Sequence, residues 1–153
     1  MTRWFVGIMF TILLFGCTHT NVLSGSSPPD AFVMINEKKY ETVLGTYCWN
    51  SFGESTCVDT VGPVELLSAH EPIKVKPGDI VTFTMDYDPM PNEIYVVQYH
   101  NDAEQEVEVT NHQFQVPDEQ GVYYYSYGVW WMDEHHEHLS HGDAFYNFVL
   151  EVK

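Results

Sequence analysis

Apolar and polar residues alternate with a period of two through most of the chain after Pro29, and this pattern restricts the fold more than any other feature. In "KPGDIVTFTMDY" a Pro-Gly-Asp turn begins such a stretch. The residues predicted to share one face of that strand are Val81, Phe83, Met85 and Tyr87. In the closing "DAFYNFVLEVK", the residues predicted to point inward are Tyr146, Phe148, Leu150 and Val152. No stretch of about ten residues or more shows a helical period.

The alternating stretches predict about seven to nine short strands, with turn signals roughly every ten residues. We therefore expect residues 31–153 to form one antiparallel β-sandwich, with a hairpin near residues 36–39. In "DAEQEVEVT" the acidic residues predict an acid-coated outer face. In "QGVYYYSYGVWW", Tyr123, Tyr125 and Tyr127 lie opposite Tyr124.

The amino terminus has the features of a secretory signal. One cation, Arg3, precedes an apolar run over residues 4–15, which is short for a membrane span. The run ends in "LFGC", which resembles the bacterial lipobox, although Phe15 stands where a small or β-branched residue is usual. The resemblance implies a signal peptide over residues 1–16 and a lipidated Cys17 as the mature first residue. An ordinary secretory signal with an incidental cysteine is the alternative.

Residues 17–30 are rich in Ser, Gly and Pro, which predicts a flexible tether of up to about 40 Å. Attached acyl chains such as palmitate would hold the body on the outer face of the cytoplasmic membrane, because more than one chain makes anchoring stable.

Two cysteines remain in the body. Cys48 and Cys57 are separated by eight residues, a spacing that matches neither a redox CxxC motif nor a zinc knuckle. In an oxidising compartment this pair predicts a structural disulfide. A redox pair and two metal thiolates are the alternatives.

The chain is strongly acidic, with 6 Lys and Arg against 22 Asp and Glu, and Arg3 is its one arginine. This balance argues against nucleic acid as a partner and against bidentate binding of phosphate or carboxylate ligands. It also argues against a basic patch that would press the body onto anionic lipid.

The segments "VKPGDIVTFTM", "FQVPDEQGVYYYSYGVWW" and "FYNFVLEV" together resemble the second half of immunoglobulin-like and cupredoxin-like domains. With the lipobox and "GTYCW", the set also resembles small lipoproteins of Gram-positive bacteria that have no established activity. The resemblance implies a fold and an anchor, and no particular chemistry. A blue-copper centre is excluded because "YYYSYGVWWMDEHH" lacks the thiolate that such a site needs.

Four of the eight histidines fall within "DEHHEHLSHGD". The candidate metal ligands there are His135, His136, His138, His141 and Glu134, which would suit zinc, copper or nickel. A response to pH is the related possibility, since imidazole has a reference pKa of about 6.5. A solvated loop between two strands is the simpler interpretation.

No hydrolase, metalloprotease or phosphate-loop motif is present in the sequence. We expect a non-enzymatic interaction or sensor module that needs no cofactor and has an unknown protein or cell-wall partner. Weak binding of a divalent transition metal and a cell-wall-active enzyme without a recognisable motif are the alternatives. The late aromatic residues suggest either a binding platform or a core strand with exposed edges. The segment "DYDPMPNE" offers Asp86, Asp88 and Glu93 as calcium ligands, without the spacing of a known calcium loop.

Overall fold

The computed structural model describes residues 23–153, which form two β-sheets packed face to face. The elements in chain order are β1 (Ala31–Ile35), β2 (Lys38–Glu41), β3 (Val43–Ser51), β4 (Glu54–Val58), α1 (Pro63–Leu66), β5 (Ile73–Val75), β6 (Ile80–Met85), β7 (Glu93–His100), β8 (Ala103–Val107), β9 (Gln113–Gln115), β10 (Gly121–Met132) and β11 (Ser140–Val152). The smaller sheet has the strand order β2-β1-β6-β9. The larger has the order β4-β3-β11-β10-β7-β8, and β5 pairs with β11 in parallel. The described part of the chain contains no helix of the length and apolarity that crossing a membrane requires.

Stacked aromatic rings join the two sheets. Phe83 of β6 lies against Tyr127 of β10 with ring centroids 3.9 Å apart and nearly parallel planes. Tyr125 and Phe148 stack in the same way within the larger sheet, at 5.1 Å. The period of two drives this arrangement, because alternate residues of each strand reach the space between the sheets.

The predicted β-sandwich is therefore confirmed, as is the inward set on the last strand, all of which is buried. The predicted hairpin is present, with its turn at Asn36-Glu37. Residues 23–153 form eleven strands, where the sequence predicts about seven to nine. The extra ones include β5 and β9, each three residues long, which are too short for alternation to reveal.

The predicted disulfide is also confirmed. Cys48 of β3 and Cys57 of β4 are directly opposite in the antiparallel register and are bonded. The bond therefore links β4, at the edge of the larger sheet, to the neighbouring strand β3.

The incoming segment, residues 23–30, packs against one end of the sandwich. Leu23 is only 1% exposed, and its carbonyl oxygen accepts a hydrogen bond from Ser51 Oγ at 3.0 Å. Trp49 Nε1 donates to the Gly25 carbonyl at 3.1 Å, and Tyr146 Oη donates to the Pro29 carbonyl at 2.7 Å. The sequence predicts a flexible tether through residue 30, but its second half is docked because its backbone oxygens find these donors. The signal peptide and Cys17 lie outside the described residues.

Three loops surround Leu23, and we call this end of the sandwich the Leu23 end. They are the β3–β4 turn at residues 52–53, the β6–β7 loop at residues 86–92 and the β10–β11 loop at residues 133–139. Asn92 ties two of them together, because its side chain both donates to the Met132 carbonyl and accepts from the Met132 N–H.

Candidate functional site

The histidine-rich loop is organised around Asp133. Its Oδ1 accepts hydrogen bonds from the backbone N–H groups of His135 and His136, both at 2.8 Å. The ring Nδ1 of His136 also donates to Oδ1, and Nε2 of His141 donates to Oδ2, each at 2.9 Å. The Asp133 side chain is only 14% exposed. These donors, led by the His135 N–H and the His136 ring, hold the pKa of Asp133 well below its ordinary value.

The loop therefore brings together two of the four predicted histidine ligands. The side chains of His135, His138 and Glu134 are exposed, and none of them makes a hydrogen bond or ion pair with another described residue. Within residues 23–153, no three His, Cys, Asp or Glu side chains converge as metal ligands would. Binding of zinc, copper or nickel by this loop stays a prediction.

A second candidate lies on the outer face of the larger sheet, where aromatic and acidic side chains alternate across the strands. Trp130 of β10 is directly opposite Glu93 of β7 on one side and Asp143 of β11 on the other. Tyr99 of β7 is opposite Tyr124 of β10 and Glu104 of β8. Directly opposite side chains lie close enough to act on one ligand. We call the following set the aromatic–acidic face: Tyr95, Tyr99, Tyr124, Trp130, Phe145, Glu93, Glu104, Glu106, Glu119 and Asp143.

Gly128 lets two of these rings lie close to the sheet. A Cβ atom at this position would be 2.9 Å from Phe145 Cε1 and 2.9 Å from Trp130 Cη2. The two rings meet edge to face, with centroids 5.5 Å apart. Tyr95, opposite Gly128 on β7, is 45% exposed and extends the aromatic surface toward solvent.

The face continues into an open groove of about 920 Å³ between α1 and the β7–β8 hairpin. Its lining includes Tyr99, Tyr124, Glu104 and Glu119, and no lysine or arginine. His100 also lines it, but both ring nitrogens are engaged: Nδ1 donates to the Val122 carbonyl, so Nε2 accepts from Asn101.

Two titratable side chains of this face have pKa values above their ordinary values. Burial, and then the neighbouring Glu104 carboxylate, raise the pKa of Tyr99. Burial raises the pKa of Asp143, although a hydrogen bond from the Cys48 N–H partly opposes this shift.

The sequence identified part of this site. Alternation correctly separates Tyr124 from Tyr123, Tyr125 and Tyr127, which are buried, so the late strand is mainly a core strand with exposed edges. Tyr95, Tyr99 and the carboxylates beside them were missed as a site, because only strand register shows which residues are neighbours. The proposed calcium ligands Asp86, Asp88 and Glu93 do not form a group of three converging ligands in the described residues.

Comparison with protein-family models, with curated proteins and with solved structures finds no match for this chain.

We predict that Asp133→Ala loosens the histidine loop, because a methyl group accepts none of the hydrogen bonds that the carboxylate accepts. Amide hydrogen exchange at His135 and His136 should lose protection in this variant. Glu137→Ala, in the same loop but exposed, is the matched control and should retain the protection.

The protection should also depend on pH in the native protein. A carboxyl whose pKa is lowered by folding stabilises the folded loop above its ordinary pKa of about 3.9, and this contribution is lost as the pH falls toward the lowered value. Protection factors should therefore be constant from about pH 7 to 4 and decline below. A decline that begins near pH 6 would contradict the central role of Asp133.

Proposed function

We propose that this protein is a non-enzymatic binding module, anchored by lipid on Cys17 to the outer face of the cytoplasmic membrane, that binds cell-wall glycan carrying free amino groups. The aromatic–acidic face is its ligand surface. The observation that carries the proposal is the strand register, which sets a carboxylate directly beside an aromatic ring at both Trp130 and Tyr99.

The ligand class follows from the chemistry of that surface. The face of an aromatic ring attracts the apolar face of a sugar. It also attracts cations, and a cation over an exposed ring gains about 0.5–1 kcal/mol. Carboxylates beside the rings favour ammonium groups through charge-assisted hydrogen bonds. An amino-sugar oligomer offers flat apolar faces and ammonium groups at regular intervals. Its extended form suits a sheet surface that continues into an open groove.

The anchor is supported by the sequence and by where the folded body begins. The apolar run and "LFGC" place Cys17 at a lipobox-like position, and five residues separate it from the docked Leu23. Such a linker reaches about 20 Å at most, so the body would stay close to the bilayer and the wall material around it.

We predict that the protein binds a short glucosamine oligomer and binds the N-acetylated oligomer of equal length more weakly, because acetylation removes the positive charge. Glu104→Gln should weaken glucosamine binding about threefold in calorimetric titration, as expected for the loss of an exposed charge pair. Glu41→Gln makes the same charge change on the exposed β2 strand and should have no effect. Equal effects of the two variants, or equal binding of both oligomers, would refute the proposed ligand.

For the anchor, we predict that Cys17→Ala moves the protein out of the membrane fraction or leaves it unprocessed, because the residue that carries the acyl chains is gone. Cell fractionation with immunoblotting measures this. A processed, unacylated protein that stays in the membrane fraction would count against the anchor.

A further inference from the structure

Phe52 is an exposed aromatic residue at a position where the fold elsewhere uses asparagine. It occupies the first place of a two-residue turn in which both residues have positive φ, 52° for Phe52 and 82° for Gly53. Three other turns of this kind begin with Asn36, Asn101 and Asn111. Asparagine tolerates this left-handed conformation, whereas a bulky residue is strained in it.

Burial of the Phe52 side chain does not compensate for this backbone strain, since the side chain is 79% exposed. Folding alone would therefore favour asparagine at this turn too. The strain and the exposure together indicate that the ring serves a contact outside the folded chain.

Two more apolar side chains are exposed on the neighbouring loops. Met90 of the β6–β7 loop is 41% exposed, and Leu139 of the β10–β11 loop is 46% exposed. Both loops border Leu23, which shares a small pocket with Met90, Met132 and other residues of these loops. The three tips therefore surround the point where the chain leaves the described structure toward Cys17.

We propose that the Leu23 end rests on the bilayer, with Phe52, Met90 and Leu139 entering its interfacial region. This inference rests on the lipid anchor of the proposed function. The linker of about 20 Å holds this end near the membrane, and an interfacial layer about 5–7 Å deep suffices to cover side chains at loop tips. Phenylalanine and leucine are among the side chains that membrane-surface segments bury at the boundary between head groups and acyl chains.

The contact is apolar rather than electrostatic. The three loops and the incoming segment contain no lysine or arginine, and Asp88, Glu134 and Glu137 flank the tips. All five lysines after Cys17 lie toward the opposite end, in or beside β2, β5 and the end of β11. Added salt can therefore screen only repulsion between this end and anionic lipid.

The test replaces Phe52 with the photoreactive p-benzoylphenylalanine in the full, processed protein, reconstituted in vesicles of phosphatidylcholine and the anionic lipid phosphatidylglycerol. After illumination, mass spectrometry should find lipid adducts at residue 52. The control puts the same residue at position 80, because Ile80 is 47% exposed at the opposite end of β6. We expect about tenfold fewer adducts there, as for a site with no membrane contact. Raised salt should leave the yield at residue 52 unchanged or higher.

Adducts to protein, no adducts at residue 52, equal yields at both positions, or a yield that falls with salt would overturn the inference. The same spectra report residue 17: an unmodified Cys17 refutes the anchor, whereas an acylated Cys17 without lipid adducts at residue 52 overturns only the inference. Phe52→Asn separates contact from folding. It should unfold at the same or a higher temperature than the native protein, and a lower temperature would show that the ring serves the fold.

Discussion

The docking of Leu23 against the end of the sandwich is the interaction on which the rest of the account depends. Leu23 packs where the glycine at position 142 leaves room, since a Cβ there would be 2.7 Å from Leu23 Cδ1. Trp49 flanks the same glycine and holds the segment through the Gly25 carbonyl. Because Leu23 is docked here, five residues separate the folded body from Cys17, so the proposed anchor would hold this end of the molecule toward the membrane.

The inner and outer faces of the sheets have different surroundings. The inner faces of both sheets are occupied by the aromatic core, in which Phe83 and Tyr127 stack. The outer face of the larger sheet places Trp130 and Tyr99 next to carboxylates, and this is the surface to which we assign the proposed ligand. The Asp133 loop lies at the Leu23 end, and hydrogen bonds within the loop hold it in a compact conformation.

The fold was largely predictable from the sequence, and the sites were predictable only in part. Alternation is a local property, so Tyr146 and Phe148 were correctly placed inward from the order of residues alone. Leu23 was missed because Ser, Gly and Pro around it indicate flexibility, whereas its docking depends on Trp49 and Gly142, far along the chain. The histidine tract was visible, but its centre is Asp133, whose role follows from loop geometry. The aromatic–acidic face depends on register, which one sequence does not specify.

The most direct test of this account is the free energy of unfolding of Leu23→Ala, measured by denaturant titration of the mature protein beside Leu139→Ala. Leu23 is 1% exposed, so its truncation should lower the free energy of unfolding by about 2–5 kcal/mol, because it leaves a cavity at the end of the core. Leu139 is 46% exposed, so Leu139→Ala should change the free energy of unfolding by less than about 0.5 kcal/mol. A similarly small change for Leu23→Ala would mean that the segment is a free tether, and the proposed orientation of the body toward a membrane would lose its basis.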